Sequence, residues 1–453
     1  LEAFDSEGFD QIPERFALRT GDPDGATITT ISGTARYTLT DSFSIDGLIR
    51  FREATSEFDT FSGGPTFSLR ADDPDLEVDY DRYTVGRLGA DWRLSDGLSV
   101  RASFGRMNNE SAETNGGVRT SSAEGERSFA DLIGTFAPAS GGLLRNPAVT
   151  AGVQWFDDEI DVPATAFAGR LARSESNTGY FLVAQSGFGN QLDVTASVRT
   201  DDNEAFGDNT TYNLGFVYNL ESWGLPLRFL ASHGTSFKAP TLNERFSTSA
   251  FNIGNAGLAP EEGRSTEFGF DVVLEQDADH AIEFGATYFD STIRNLIEYN
   301  FAQLRNVNIG RVEIEGYEAY FRGRTDIVSL QMAYTYTETV NALLASRPQL
   351  LRRPENVWSA QANFTPTDQI NLAFTWNAVG SRTDVNYSNA GAFLRSGGRI
   401  DGYQIASATF TYHANDAVSL YATVNNLTDE TYEQPEAFAG APRTVSIGLR
   451  GRF

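Results

Sequence analysis

The last ten residues of the chain, TVSIGLRGRF (Thr444–Phe453), alternate between two kinds of side chain. Val445, Ile447 and Leu449 fall on one side of an extended backbone, whereas Arg450 and its small or polar companions fall on the other. Successive side chains of a β-strand point to opposite faces. The stretch therefore predicts a strand with one apolar face, and the medium that this face meets decides the fold.

The same alternation recurs along the chain, with polar or small residues between the apolar ones. Such runs are typical of strands that are wet on one face only. They occur near residues 98–105, 192–199, 328–336, 370–376 and 418–424. No run approaches the roughly 18 consecutive apolar residues that a transmembrane helix needs. A helical membrane protein is therefore excluded, and a protein of many strands is predicted.

The connections between these strands alternate in length. Short turns are predicted near Asp41, Ser95–Gly97 and Asn415–Asp416, for example. Nine short connections alternate with nine longer ones, which lie at about residues 58–78, 108–123, 160–174, 202–208, 237–264, 294–305, 340–350, 380–401 and 428–441. These connections join nineteen strands, of which the first is placed at Ala26–Leu39. Tight turns on one side and long loops on the other are typical of an outer-membrane barrel.

The pattern thus predicts an all-β fold, an antiparallel transmembrane β-barrel whose apolar faces meet lipid and whose polar faces line a lumen. A closed barrel is the only sheet that pairs every backbone N–H and C=O group in a bilayer. The alternatives are a soluble sandwich, whose strands also alternate, and a propeller, which would repeat every 40 to 50 residues or so. The sequence shows no such repeat, and neither alternative explains the asymmetry of the loop lengths.

Composition and motifs narrow the function. A net charge of −26 opposes a nucleic-acid partner, because a phosphate backbone calls for clustered Lys and Arg. The chain has no cysteine, which excludes disulfides and thiolate sites. His233, His280 and His413 stand apart, and no phosphate-binding glycine motif occurs. We therefore expect that the protein is not an enzyme.

Several arginines fall on the polar faces of predicted strands, among them Arg101, Arg199, Arg228 and Arg450. They can be interpreted as a funnel for a ligand. The interior of a membrane barrel is polar in any case, so the fold alone also explains them.

Four stretches resemble TonB-dependent outer-membrane receptors, the active importers of scarce large nutrients. They are SHGTSFKAPTLNERF (Ser232–Phe246), GNAGLAPEEGRSTEFGFD (Gly254–Asp271), NVNIGRVEIEGYEAYF (Asn306–Phe321) and the C-terminal NNLTDETYEQPEAFAGAPRTVSIGLRGRF (Asn425–Phe453). The second departs from the family pattern at Ala256, Gly257 and Gly263. Segments such as AGVQWFDDE and LLRRPENVWSAQANF look most like the vitamin B12 (cobalamin) branch, and siderophore receptors share much of the same pattern.

The resemblance implies a barrel of 22 strands, closed by an N-terminal plug and preceded by a short box that binds TonB. The sequence shows no plug across residues 1–453. Nineteen strands against 22 leave three missing, so we interpret the chain as the barrel domain of a longer receptor; a plugless barrel is the alternative. The first strand would run toward the short turns, so the chain would begin on the long-loop side. Barrels of this type normally have an even number of strands with both ends on the short-turn side. An odd number of strands should therefore precede the first one.

The function implied is the binding of cobalamin or an iron-siderophore at extracellular loops and its import with energy from TonB. The implied partners are TonB, outer-membrane lipid and lipopolysaccharide, the small-molecule ligand, and the barrel assembly machinery, which would read Phe453 as its terminal signal. No cofactor is required, and no nucleic acid is expected. The alternative is a passive porin-like channel; its constriction is normally an inward-folded loop, and none of the long connections identifies itself as one.

One acidic loop is a candidate metal site. Asp59, Asp72, Asp73 and Asp75 lie in the first long connection, with Asp79 beside it. Oxygen ligands on a flexible loop suit calcium, and the resemblance to cobalamin receptors implies calcium on this side of the barrel. The spacing fits no calcium motif, so a hydrated acidic surface remains the other interpretation.

Overall fold

The protein is described by a computed structural model covering residues 2–17, 19, 21–58, 61–62, 68–69, 77–222, 225–275, 280–300, 302–390 and 392–451. Twenty strands form one sheet. Each of these strands pairs antiparallel with the next of the twenty along the chain. The prediction of an antiparallel β-barrel is confirmed in its strand content and order.

The strands of the sheet are Glu2–Phe9, Asp24–Thr40, Phe43–Glu57, Glu77–Ser95, Leu98–Asn115, Val118–Phe136, Leu144–Val162, Leu171–Phe188, Leu192–Asn203, Gly207–Ser222, Leu225–Lys238, Glu261–Glu275, Ala281–Arg294, Arg311–Arg324, Val328–Asn341, Asn356–Thr367, Ile370–Val379, Tyr403–Asn415, Val418–Asn425 and Thr444–Gly451. Eight short strands decorate the long connections: Phe61–Ser62, Ser68–Leu69, Thr248–Ser249, Asn252–Ile253, Ile297–Asn300, Arg305–Asn308, Arg382–Tyr387 and Phe393–Ile400. Within the described residues, the helix Leu242–Phe246 is too short to cross a membrane, and no other helix is long and apolar enough to do so.

The strand count is one higher than the sequence predicted. Glu2–Phe9 also belongs to the sheet, where it pairs with Asp24–Thr40. The first strand of the sheet is therefore not Ala26–Leu39, and the first strand runs toward the long loops. The argument that an odd number of strands must precede it is wrong for this reason.

Two of the predicted long connections are mostly strand. Residues 108–123 continue the pair Leu98–Asn115 and Val118–Phe136 up to a two-residue turn. Gly116 and Gly117 have φ angles of 58° and 74°, as the tight hairpin turn that matches the twist of the strands requires. Residues 202–208 likewise continue two strands, to Asn203 and from Gly207. These strand pairs therefore extend the wall of the barrel well beyond its apolar part.

The two faces of the sheet have the chemistry that alternation predicted. Large apolar side chains point outward and are exposed, for example Leu88 at 70% and Ile447 at 82%. Their neighbours on the other face are charged or polar, such as Arg87 and Ser446. The arrangement is the reverse of a soluble protein, in which exposed apolar patches of this extent are rare.

Connections from the two ends of the sheet meet at the long-loop end. The connection after Glu2–Phe9 accepts a hydrogen bond from the last connection, in which the Ala439 N–H donates to the Gln11 carbonyl at 2.7 Å. Ile12, Phe16 and Ala437 form a small buried cluster at the same place. The first connection of the chain thus contacts the last, which agrees with a sheet that curls toward a cylinder.

Candidate functional site at the mouth of the barrel

The long connection of residues 239–260, here called the strap, is the most structured element at the mouth. Its base is pinned where the Lys238 ammonium lies 3.4 Å from a Glu261 carboxylate oxygen. Its helix, Leu242–Phe246, begins with a capping box in which Thr241 and Glu244 satisfy each other's backbone N–H groups. This local bonding fixes the direction in which the strap leaves the wall.

The strap folds back over the inner face of the wall. The Arg245 guanidinium pairs with Glu175, and both side chains are nearly buried, with 12% and 13% of their surfaces exposed. The Phe206 and Phe246 rings lie 4.8 and 4.6 Å from the same guanidinium. Glu175 lies three strands away from the strand that precedes the strap. The sequence identified none of the long connections as an inward-folded loop, and the structure shows that this one folds inward.

Beyond the helix, the strap is bonded to the neighbouring connections. The Ala250 N–H donates to the Phe167 carbonyl at 3.0 Å, and the Thr248 hydroxyl donates to the Gly169 carbonyl. On its other side the strap joins residues 297–308 in a four-stranded sheet. There the Asn308 amide donates to Ala259 and accepts from it, both at 2.9 Å. Asn308, which lies in one of the stretches that resemble the family, thus connects two neighbouring loops.

One carboxyl group of this small sheet, that of Glu298, has a shifted pKa. Desolvation raises the pKa of Glu298, and the positive charge of Arg353 opposes that shift. The Glu298 side chain remains exposed at the surface of the small sheet, so this desolvation is partial.

A pocket of about 570 Å³ lies between the strap and the wall. Its wall side follows one level of the sheet, where Met107, Arg127, Asp158 and Glu175 are neighbours on successive strands. Tyr83 and Phe156 add aromatic rings, and Lys238 and the first five residues of the strap, 239–243, complete the lining. The volume lies within the range of small-molecule sites in proteins.

A second pocket, of about 680 Å³, lies at the seam between the first and last connections. Ion pairs lie in and beside it. Asp384 is fully buried and accepts from the Arg352 guanidinium at 2.8 Å, and Arg15 forms a two-point pair with Glu433 at 2.5 and 2.8 Å. The pair of Arg15 with Glu433 joins the first connection to the last, so the seam pocket is primarily a structural junction.

Arginines of the inner wall are paired with carboxylates. Arg101 lies 2.6 Å from Asp91 and 3.0 Å from Asp46. Arg199 pairs with Asp201 and Arg228 with Asp271, at 2.7 and 2.5 Å, and Arg450 stands on the edge strand opposite Ser419. The pairing of Arg101, Arg199 and Arg228 favours the interpretation as barrel wall over the interpretation as a funnel of free cations.

The predicted calcium residues Asp59, Asp72, Asp73 and Asp75 lie outside the described residues, as does Phe453. Across the part of the chain that is described, no three Asp, Glu, His or Cys side chains are grouped to hold a metal. Asp79 is described, opposite Glu113 on the next strand. Burial, and the charges of Glu113 and Asp81, raise the pKa of Asp79.

The inward course of the strap was missed at the level of sequence. One signal was present, because Thr241 and Glu244 have the spacing of a capping box. The contact of Arg245 with Glu175 spans 70 residues of sequence, and nothing local to either residue indicates it.

The fold and its mouth define a class: an outer-membrane type of β-barrel with a structured inward loop. Residues 107–427 match the family described as TonB dependent receptor-like, beta-barrel. The chain belongs to this family of TonB-dependent receptors, as its motifs predicted. The family is one of transporters and receptors, which agrees with the expectation that the protein is not an enzyme.

Sequence relatives and solved structures that resemble this chain are also outer-membrane transporters and receptors. The vitamin B12 transporter BtuB of Vibrio cholerae serotype O1 is 29% identical over 307 residues, which cover 67% of this chain and 46% of the relative. The chain thus spans about half the length of the relatives that it matches. A mutant of the ferric enterobactin receptor PfeA from Pseudomonas aeruginosa superposes with a TM-score of 0.78 at 16% identity, over 100% of this chain and 74% of that one.

The ferric-catecholate import receptor Fiu of E. coli has a TM-score of 0.76 at 13% identity, over 100% of this chain and 77% of its own. At such identities the solved structures establish the fold alone. The sequence relative carries the likeness to a B12 transporter.

Proposed function

We propose that this protein is the barrel of an outer-membrane receptor that imports cobalamin, or an iron-siderophore, with energy supplied through TonB. The observation that carries the proposal is the family match over residues 107–427. The mouth supports it, because a fixed strap and a ligand-sized pocket on the inner wall suit capture of a discrete molecule.

The residues of this chain would supply the wall and the ligand-facing loops. Paired ions such as Arg101 with Asp91 make the inner wall polar without a net single-sign field. The outer apolar face would hold the barrel in lipid, in contact with lipopolysaccharide at its outer rim. A plug that binds TonB, in the longer protein, would be the moving part.

The proposal is tested by uptake. A bacterium lacking its own cobalamin and siderophore receptors would express the full-length gene product, and accumulation of labelled cyanocobalamin and of a panel of iron-siderophores would be measured with and without TonB. We expect saturable uptake of one ligand that is lost without TonB. Uptake that is unsaturable and indifferent to TonB would contradict the proposal.

A passive porin is the second candidate. The inward course of the strap favours it, because porins are normally constricted by an inward-folded loop. The same uptake assay separates the two. A porin would also pass small solutes of unrelated chemistry, which can be measured by liposome swelling.

Calcium binding remains a prediction for the first long connection. We propose that Asp59, Asp72, Asp73 and Asp75 bind a structural calcium ion, with the crowded carboxylates of Asp79 and Glu113 as support for a cation nearby. Calorimetric titration with Ca²⁺ should show a site that the double variant Asp72→Asn/Asp73→Asn loses. The matched variant Asp193→Asn, at a carboxylate that pairs with Arg145 on the inner wall, should keep it. Heat of binding unchanged by the double variant would refute this site.

The role proposed for Phe453 is assembly. Deletion of Phe453 should lower the amount of folded barrel in the outer membrane several-fold, because the terminal aromatic is what the assembly machinery would read. Ligand affinity of the protein that does insert should be unchanged. Quantitative immunoblotting of outer membranes, with Leu343→Ala in a long loop as control, measures this, and normal insertion without Phe453 would count against the signal.

A further inference from the structure

An apolar groove of about 730 Å³ crosses the outer face of the sheet. Large side chains of its lining, such as Leu132 and Tyr180, point outward with 52% and 56% of their surfaces exposed. The groove therefore opens toward the lipid and not toward the lumen. We infer that it binds one lipopolysaccharide molecule, with an acyl chain in the groove and the polar part of the molecule on a row of polar side chains that ends at Arg264. Such a site is independent of the nutrient that the receptor imports.

The groove is deepest where the outer face lacks large side chains. Gly134 and Ala151 are paired on neighbouring strands, and a Cβ placed on Gly134 meets no atom of the described residues within 4 Å. The larger Leu132 and Val153 border this floor on one side, and Phe136 borders it on the other. Dispersion energy comes only from atoms in contact. A hydrocarbon chain in the groove therefore gains contacts on its sides that a flat part of the face cannot offer.

The groove climbs from the short-turn rim toward the long loops. Its floor follows a row of residues that pair across five successive strands, namely Val100, Gly134, Ala151, Leu182 and Val198. The row begins close to Leu98, where its strand leaves a short turn, and ends well above Leu192, where its strand leaves another. Four spacings of about 4.8 Å between strands make a length of about 19 Å. The hydrocarbon of one leaflet is roughly 15 Å thick, half of the bilayer core, so the groove has the length of one acyl chain.

Beyond the groove the same row becomes polar. It continues through Tyr212 and Thr235 to Arg264. Beside it the Tyr212 hydroxyl lies 3.3 Å from His233 Nε2, and His233 Nδ1 lies 2.8 Å from the Thr266 hydroxyl. Hydroxyl and imidazole groups can donate and accept, so this end suits the oxygen atoms of sugars and esters. An amphiphile in the groove would thus have its polar part on the long-loop side, which is the side of the outer leaflet.

Arg264 adds a positive charge that suits phosphate. Its side chain is exposed, and in the described part of the chain it forms no ion pair, not even with Glu262 on the same face. Arg106, another arginine of the outer face, is by contrast paired with Glu126. A guanidinium can bind phosphate through two parallel hydrogen bonds. Because a chain with a net charge of −26 repels anions in general, an unpaired arginine at the end of the row is a place where a lipid phosphate can approach.

Lipid that is retained during purification tests the site. The full-length gene product would be extracted from outer membranes in a mild detergent, and the lipopolysaccharide and phospholipid bound to it would be quantified by mass spectrometry. We expect the unchanged protein to retain lipopolysaccharide in stoichiometric amount. The shift in electrophoretic mobility on heating would show that each variant is folded.

Two pairs of variants locate the lipid. Gly134→Leu should fill the floor and lower the retained lipopolysaccharide about fivefold. Gly86→Leu is its control, because Gly86 lies opposite the exposed Ile49, also has open space around its Cβ, and is not part of the groove. Arg264→Gln should lower retention about threefold, whereas Arg106→Gln, which changes an arginine that already has a carboxylate partner, should not.

Retention of phospholipid alone, or of no lipid, by the unchanged protein would overturn this site. Equal retention within either pair of variants would overturn it as well, because the groove and the phosphate contact are both required. Uptake of a nutrient does not enter the measurement. A failure of the lipid site therefore leaves the proposed import function standing, and loss of TonB-dependent uptake would leave the lipid result unchanged.

Discussion

Replacing Phe374 by Arg is expected to destabilise the barrel by about 2–4 kcal/mol, the cost of a cation on the lipid face near the middle of a bilayer. Phe374 lies in the middle of the ten-residue strand Ile370–Val379, and a strand of about this length spans the hydrocarbon. Its ring points outward with 42% of its surface exposed. The guanidinium would have no carboxylate and no water to receive it at that depth.

The matched control is the next residue. Thr375 points to the inner face, where it lies between Gln361 and Ser407 on the neighbouring strands. Thr375→Arg should therefore change stability by less than about 0.5 kcal/mol, as for a substitution on a hydrated surface. Unfolding of the two variants in urea, after refolding into lipid vesicles, measures the difference. Equal losses would mean that the assignment of the two faces is wrong.

The alternation of side chains was sufficient to predict these faces because it is a local property. A strand that meets lipid on one side and water on the other must change chemistry at every residue, as Leu449 and Arg450 do. The order of the strands followed from the same local property, since a meander needs only a turn between consecutive runs. For this reason the fold class and the family were predicted correctly.

Strand ends above the membrane were harder to predict, for a physical reason. Residues 108–123 are polar on both faces of the hairpin, so the period-2 signal fades while the backbone pairing continues to Asn115 and Val118. Glu2–Phe9 is similar, because a run such as EAFDSEGF has few apolar residues and becomes a strand through its partner Asp24–Thr40. Backbone hydrogen bonds, which any sequence can make, decide both cases.

The pocket under the strap could not be predicted at all. It depends on the contact between Arg245 and Glu175, and on the stacking of that guanidinium with Phe206. These residues come from different strands and loops, and each would look ordinary on a hydrated surface. Only the fold brings them together, which is why the motif around Ser232–Phe246 indicated the family but not the shape of its mouth.

Cysteines at positions 169 and 248 are expected to lock the strap to the neighbouring connection, residues 163–170. A Cβ built on Gly169 lies 3.8 Å from the Thr248 Cβ, within the spacing of about 3.5–4.5 Å found in disulfides. The chain has no other cysteine, so Gly169→Cys/Thr248→Cys can form only the intended bond. Closing a loop on the order of 80 residues would stabilise the protein by about 2–4 kcal/mol.

The locked protein also tests whether the strap is a fixed part of the mouth. The strap is bonded to residues on both of its sides, so we expect the oxidised variant to bind ligand like the reduced one while unfolding at higher urea concentration. The control pair Gly141→Cys/Thr248→Cys joins positions at opposite ends of the barrel, where nothing approaches the Gly141 Cβ position, and should stay reduced. If oxidation abolished ligand binding and reduction restored it, the strap would have to open for the ligand to reach the pocket, and its inward position would be one of two states.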